Sequence, residues 1–469
     1  MLYDTIIIGG GLLGCFCALN LSRFPLKTAL LEMREDVCTG ISRANTAVIY
    51  PGYDNKANSM KAAMSLRANQ NFSDLCRDLC VSFKRCGSLM VACGPLSDQT
   101  VRAKYEQGIQ NGVPGLQLLT PEEARKLEPG LSEDITSVLY APSTGTVHPW
   151  ELCIAAYETA KEQGCEMHLN SKVTDIRKTE EGYLIQINEK ETFRCRSIIN
   201  CSGIFADQVQ RMIAPPVVCI RPELAEYLIF DPSEQIPLQH IIFQETEENG
   251  KGVTLVPTIS GKILVGTTKV LSDADAAHIT TLHHTEYLKK SGQKIFPSLK
   301  DDSLIRAFSG HRPNPVNPDH TESDLHGFPD LITETPKGFI SLTAIKTPGL
   351  TCVDEIGKYI TERILISLGH PDLKPMIETS RRTLHTDRTK PEYYRIICRC
   401  ENISEGDILD AIDRGATTID GIKRRTGSGL GICQGGHCTS QIAEILAKRL
   451  QIPLEKVTKD GKESYYLYS

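Results

Sequence analysis

The chain has 469 residues, 40% of them hydrophobic and 23% charged, with a formal net charge of −6. That length supports two or three domains, each with its own apolar core, and the acidic balance excludes the basic field that non-specific nucleic-acid binding requires. Seventeen cysteines in a chain with no visible secretory leader point to a reducing cytoplasm rather than a disulfide framework. The one membrane-like window, 6–21, is interrupted by Gly9, Gly10, Gly11 and Gly14, so it reads as a buried strand-turn-helix and no transmembrane segment is expected. Membrane contact would be peripheral, through a partner.

The first predicted element is a strand over residues 3–8, followed by Gly9, Gly11 and Gly14 in the spacing G-x-G-x-x-G. A helix opens at Leu12 and Leu13 and runs to Leu21. Gly9 permits the tight turn, Gly11 lets a pyrophosphate approach bare backbone, and Gly14 allows helix and strand to pack closely. The phosphates would sit at the helix N-terminus, where amide hydrogens and the dipole favour anions. A second strand, 28–31, ends at Glu32 and Met33, and Glu32 lies 23 residues beyond Gly9, placed for the ribose hydroxyls of an adenosine half. The pattern predicts a dinucleotide site and leaves FAD or NAD open.

Short β-branched runs at 197–200, 254–257 and 262–265 alternate with amphipathic helical stretches as far as about residue 368, the pattern of an α/β protein with an added sheet. Residues 371–394 carry Pro371, Pro375, Pro391, Arg381, Arg382, Arg388 and Lys390 with little apolar content, and read as a linker. Three short helices follow at 405–414, 419–425 and 440–450, the first opened by a capping box of Ser404 and Asp407.

The cysteines of this last unit form C-x-C at Cys398 and Cys400, then, after thirty-two residues, C-x4-C at Cys433 and Cys438. Four thiolates suit zinc or an iron–sulfur cluster, and spacing leaves the choice open. Gly435 and Gly436 let the loop wrap a cluster whose sulfides nearby amides can reach. The remaining cysteines, Cys15, Cys17, Cys76 and Cys80 among them, read as core thiols.

Ser42, Arg43, Asn45 and Thr46, then Tyr50-Pro51-Gly52-Tyr53-Asp54, Asn200-Cys201-Ser202-Gly203, Ser309-Gly310-His311-Arg312-Pro313 and Thr347-Pro348-Gly349-Leu350-Thr351 together resemble the D-amino-acid-oxidase-like (DAO) flavoproteins. Within that family the likeness is to the large subunit of anaerobic glycerol-3-phosphate dehydrogenase and to L-2-hydroxyglutarate dehydrogenases. The block from Cys398 to Cys438 resembles the bacterioferritin-associated-ferredoxin-like (BFD-like) [2Fe-2S] domain appended to the same subunits.

The resemblance implies a Rossmann-like FAD-binding domain with an inserted antiparallel-sheet substrate domain, and a small helical [2Fe-2S] domain. FAD-binding segments fall at about 1–80, 145–215 and 325–370, substrate segments at about 81–144 and 216–324, the cluster domain at 395–452 and a tail at 453–469. It adds Ser42, Asn45, Thr46, Val173, Cys201, Ser202, Gly203, Gly349, Leu350 and Thr351 to the FAD contacts, with Arg312 beside the flavin. A helix starting after Gly349 would aim its positive end at the isoalloxazine, with Lys346 adding charge. Cys398, Cys400, Cys433 and Cys438 become the cluster ligands.

Housing both groups implies a converter from hydride to single electrons, leaving through a redox partner subunit or carrier and so to quinone or a soluble acceptor. The expected substrate is a small anionic hydroxy compound, glycerol 3-phosphate or a 2-hydroxy acid such as L-2-hydroxyglutarate. Arg312 is the expected anion clamp. His311 and His148 are the candidate bases, and Glu226-Tyr227 resembles the Gly-Glu-Tyr strand of the family's substrate domain. Two departures stand out: Tyr50-Pro51 replaces the His-Ala of many relatives, and Tyr53-Asp54-Asn55 lacks the phosphate-gripping arginine of respiratory glycerol-3-phosphate dehydrogenases. The alternatives are an amino-acid, imino-acid or opine dehydrogenase of the same fold, and a non-catalytic electron-relay subunit.

Overall fold

The computed structural model describes residues 2–231, 237–246, 250–272, 279–319, 321–377 and 387–467. Arg381 and Arg382, with the middle of the expected linker, lie outside the described residues.

The chain begins with a central strand. Leu2–Ile8 runs parallel to Glu191–Asn200 on one side and to Thr28–Leu31 on the other, with Ile8 level with both Asn200 and Leu31. That register brings Gly9, Cys201 and Glu32 out together at the carboxyl edge of one sheet, the crevice in which open α/β sheets take their ligands. The sheet has eight strands in the order Val173–Thr179, Gly182–Ile187, Glu191–Asn200, Leu2–Ile8, Thr28–Leu31, Glu166–His168, with Phe339–Leu342 and Ile332–Glu334 branching from Glu191–Asn200. Its parallel strands are apolar on both faces: Ile6, Ile7, Leu30, Ile198 and Ile199 have no exposed surface, as helices covering a parallel sheet require. The helices Leu12–Leu21, Pro149–Glu162 and Val353–Ser367 share the core over Ile7, Leu30 and Ile199.

A second, nine-stranded sheet is built from strands within 88–141 and 219–316. Its longest pair, Cys219–Phe230 and Leu304–Val316, is antiparallel, with Glu223 opposite Arg312, Ala225 opposite Gly310 and Tyr227 opposite Phe308. Gly310 has no room for a side chain because Ala44 of the first unit presses against it. One face of this pair therefore lies against the nucleotide-binding unit.

The C-terminal unit packs the helices Glu405–Asp413, Ile419–Thr426 and Thr439–Leu450 around Ile408, Ile422, Ala443 and Leu446. Its capping box forms as the sequence suggests: Ser404 Oγ accepts from the Asp407 amide at 3.1 Å, and Asp407 Oδ2 accepts from the Ser404 amide at 3.0 Å. The segment after residue 452 is more than a tail. Val457 is fully buried in this core and the carbonyl of Thr458 accepts from Ile419 N at 3.1 Å. The short sequence 453–469 carries too few apolar residues for periodicity to reveal that docking. Val457→Ala is expected to lower the stability of the C-terminal unit by about 1–3 kcal/mol, read as an earlier thermal transition of the cluster absorption.

Candidate active site and cluster pocket

The nucleotide loop gives each glycine a different environment. Gly9 has φ +107°, open to glycine alone, and a Cβ there would collide with the Cys201 carbonyl. A Cβ on Gly14 would strike the Gly9 carbonyl, so the helix lies directly on the turn. A Cβ on Gly11 would meet only Ser42 Oγ, at 3.2 Å, which leaves its backbone open to a ligand. The helix that follows has no side-chain cap from Gly11; instead Leu12 N donates to Ser42 Oγ at 2.9 Å. Open space above Gly11 and a helix N-terminus facing it make a cradle of the size and polarity that a pyrophosphate needs.

Glu32 is buried, and its carboxylate accepts from Gly10 N at 2.6 Å and Arg34 N at 2.8 Å. Burial pushes its carboxyl up from the ordinary range, against the opposing pull of those two amides. Asn45 closes the next turn, donating to the Ser42 carbonyl at 3.0 Å and accepting from Ala47 N at 2.8 Å, with Thr46 between. Met33 is partly exposed, and Val173 is buried at the start of its strand. Ser202 Oγ donates to Asn200 Oδ1 at 2.5 Å, while Gly203 takes φ +63°. The residues at 347–352 form turns, and the regular helix begins at Val353 rather than directly after Gly349, because Gly349 N first closes a tight turn on the Lys346 carbonyl at 2.6 Å. Thr351 Oγ1 accepts from Tyr50 N at 2.9 Å, which ties the Gly349–Thr351 segment to the Tyr50 strand end; Leu350 packs against the same core.

On the substrate sheet, alternation decides which candidates meet. Opposed residues of an antiparallel pair share a face, and successive residues do not. Arg312, Gly310 and Phe308 therefore share a face with Glu223, Ala225 and Tyr227, the face held against Ala44. Tyr227 stacks on Phe308 with ring centroids 4.9 Å apart, and burial pushes its phenol up, partly opposed by Arg312. His311 and Glu226 point the other way. Glu226 is engaged there by His284 Nδ1 at 2.5 Å and Thr281 N at 2.8 Å. His311 is buried on that opposite face, so it does not stand beside Arg312 as adjacency in sequence suggests. His148 is the cap of the helix Pro149–Glu162, with Nδ1 accepting from Glu151 N at 3.4 Å and its ring edge-on to Trp150. Burial lowers its pKa and keeps the imidazole neutral, as a cap acceptor must be.

Three further cations join Arg312. Lys346 donates to Asn314 Oδ1 at 2.6 Å, on the Arg312 side of that strand. Its ammonium lies within electrostatic reach of Glu223, Arg312, Lys61 and Lys269; burial first, then the three cations, hold it below the usual lysine value, with Glu223 opposing. Lys61 arrives from the helix Met60–Asp78 and sits 5.7 Å from the Phe328 ring centroid. Among the described residues the half-buried side chain of Arg312 has no ion-pair or hydrogen-bond partner. Lys61 and Lys269 are isolated basic residues with no motif around them, so nothing in the sequence singles them out.

The four C-terminal thiols form two close pairs: Cys400 with Cys433, Sγ to Sγ 3.5 Å, and Cys438 with Cys398. Two pairs of thiols suit two irons taking two thiolates each. The Cys433 thiol is pulled down by the backbone amide of His437, with the amides of Gly435 and Gly436 helping, whereas burial pushes Cys438 up to about 12. Gln434 and Gly435 both take positive φ, turning those amides towards the sulfur as an anion nest does.

Comparison with known proteins agrees with this geometry. The family described as FAD dependent oxidoreductase (DAO) matches residues 4–363, and the BFD-like [2Fe-2S] binding domain matches residues 396–448. A glycerol 3-phosphate dehydrogenase of Caloramator mitchellensis is 35% identical over 99% of this chain and 98% of its own length. The human mitochondrial L-2-hydroxyglutarate dehydrogenase is 27% identical over 58% of this chain and 61% of its own. Among solved structures, the dithionite-reduced L-alpha-glycerophosphate oxidase of Mycoplasma pneumoniae with FAD bound superposes with a TM-score of 0.74 at 24% identity, covering 82% of this chain and 98% of that one, which establishes the fold. The chain belongs to the DAO family of FAD-dependent oxidoreductases. It is an enzyme of two cofactors, FAD and a [2Fe-2S] cluster bound by its C-terminal domain.

Two substitutions separate the roles of the glycines. Gly11→Ala is expected to fold normally yet bind FAD at least tenfold more weakly, whereas Gly14→Ala loses stability in the apoprotein; flavin titration and apoprotein melting distinguish them. Cys433→Ser is expected to remove the broad iron–sulfur absorption and leave the flavin bands in place.

Proposed function

We propose that the chain is a dehydrogenase of a small anionic hydroxy compound, with glycerol 3-phosphate the foremost candidate. The observation that carries this reading is the placement of Arg312, and of Lys346 bonded to Asn314 at 2.6 Å, on one face of the strand Leu304–Val316, beside Tyr227 and against the nucleotide-binding unit, with Lys61 and Lys269 within electrostatic reach of Lys346. A phosphate carries close to two negative charges at neutral pH, and a cluster of cations in a half-buried site suits it better than one arginine suits a monocarboxylate. The same cluster disfavours an amino acid, whose ammonium group it would repel. The missing arginine after Gly52 is in this way offset by lysines from other segments.

When bound, FAD accepts the hydride of an alcohol carbon, and a [2Fe-2S] centre takes electrons one at a time. Gly9, Gly11, Gly14, Glu32, Ser42, Asn45, Cys201 to Gly203 and Thr351 are the residues proposed to hold the FAD, and Cys398, Cys400, Cys433 and Cys438 the cluster. The protein's part is to bind, orient and shield. Arg312 and Lys346 grip the anion. Tyr227, whose phenol burial keeps protonated, orients by hydrogen bonding. Tyr50, fixed at its amide by Thr351, stands where many relatives have histidine. The thiol pocket opens to the surface at Cys400 and Ile432, both exposed, where a redox partner or quinone-linked carrier would dock. No helix among the described residues is long and apolar enough to cross a membrane.

Anaerobic flavin bleaching by glycerol 3-phosphate, L-2-hydroxyglutarate, lactate and proline tests the reading: bleaching by glycerol 3-phosphate at the lowest concentration is expected, and bleaching by proline alone would overturn it. Arg312→Met and Lys346→Met should each raise KM by about tenfold or more while changing kcat less. The pH dependence has a definite sign. Lys346 is held below its ordinary pKa in the free enzyme, and a bound anion favours the charged form. Anion affinity is therefore full below the free-enzyme pKa and falls as pH rises through it. Lys346→Arg, charged throughout, is expected to flatten that alkaline rise in KM.

A further inference from the structure

Four residues beyond Glu32, Asp36 is buried together with two arginines of the C-terminal domain. Its carboxylate accepts from Arg424 at 2.8 Å and from both terminal nitrogens of Arg425, at 2.7 and 2.9 Å, and from its own neighbour Val37 N at 2.9 Å. All three side chains are 3% exposed or less. Burial alone would push the Asp36 carboxyl up, yet the two guanidiniums hold it below the usual range. Arg424 reaches on to Asp460 at 3.1 Å, and Asp460 lies 3.8 Å from Arg43.

Both arms of this network end on the phosphate loop. Residues 32–38 grip Gly10 from two sides: Glu32 accepts its N–H at 2.6 Å, and Cys38 N donates to its carbonyl at 2.9 Å. Arg43 follows Ser42, whose hydroxyl holds Leu12 N. The two segments that set the loop's shape are thus themselves held by the [2Fe-2S] domain, one through the helix Ile419–Thr426 and one through Asp460. A forked arginine on a carboxylate fixes angle as well as distance, which an apolar contact does not.

We propose that the Asp36–Arg424–Arg425 cluster couples docking of the [2Fe-2S] domain to FAD binding, so that each strengthens the other. Asp36, Arg424 and Arg425 are positioning residues: they touch neither group and act through Gly10 and the turn at 41–43. Linkage makes the effect reciprocal, since whatever factor docking adds to FAD affinity, FAD adds to docking. The inference rests on the placement of FAD over Gly9 to Gly14 proposed above.

The test is FAD titration of apoprotein, read by quenching of flavin fluorescence, in Asp36→Asn, Arg425→Gln and the double variant. Each single change is expected to weaken FAD binding roughly tenfold, the double no more than the worse single, and cluster absorption per chain to stay constant. Arg449→Gln, which breaks the exposed pair with Asp413 inside the same domain, should leave FAD affinity unchanged. Folded single variants within twofold of the parent, or a double variant whose loss is the product of the two, would overturn the coupling. If the variants do not fold, hydrogen exchange of the unmodified protein decides: amides of 419–427 should exchange more slowly with FAD than without, and equal rates contradict the proposal. Gly11→Ala separates the two layers, because unchanged FAD affinity there removes the placement on which the coupling depends, while a loss there alone leaves the placement standing and removes only the coupling.

Discussion

The register of three parallel strands is the constraint on which the rest of the molecule depends. With Ile8 level with Leu31 and Asn200, three chain segments leave one edge at the same height and bring Gly9, Glu32 and Cys201 together. Gly9 is jammed against the Cys201 carbonyl, Gly14 against the Gly9 carbonyl, and Glu32 against the Gly10 amide. A one-residue slip of either neighbouring strand would separate these contacts and turn its side chains to the wrong face. The turn is backbone packed on backbone, and two side chains pin it, Glu32 at the Gly10 amide and Ser42 at the Leu12 amide.

The second sheet brings chemistry to that cradle. Gly310 lets the strand Leu304–Val316 press against Ala44, and the two-residue period then assigns Tyr227, Phe308 and Arg312 to the inner face. Farther along the same face, Arg306 donates to Gln434 Oε1 at 3.1 Å, next to Cys433. Six residues of extended chain span roughly 20 Å, so a single strand runs from Arg312 to the loop that carries Gln434. Lys262 of the same sheet pairs with Glu401 at 2.7 Å, between Cys400 and the rest of the cluster domain. The C-terminal domain therefore rests on both large units, gripping the nucleotide unit through buried charge and the substrate sheet at the cluster end.

Much of this was legible in the residues. The glycine spacing, the acid after the second strand and the four cysteines are local patterns, and the structure places the corresponding strands and helices close to where those patterns end. The capping box at Ser404 was legible for the same reason: its physics is contained in four residues. What escaped is non-local. Lys61 and Lys269 lie about two hundred residues apart, and both come within electrostatic reach of Lys346, itself expected beside the flavin, only once the chain has folded. His311 looked like Arg312's companion because adjacency in sequence is opposition on a strand. His148 looked available, yet a helix begining at Pro149 needed an acceptor in front of it. Asp36 is an unremarked acid in a loop until Arg424 and Arg425, almost four hundred residues away, bury it.

In the proposed function, oxidation of an anionic alcohol at the flavin ends as single electrons on a [2Fe-2S] centre of the same polypeptide. The most direct measurement is electron paramagnetic resonance of anaerobic holoprotein frozen after mixing with glycerol 3-phosphate. A reduced [2Fe-2S] signal that grows after the flavin absorbance falls, and that is lost in Arg312→Met at the same substrate concentration, is the predicted result. Flavin bleaching with a cluster that stays oxidised and silent would contradict it.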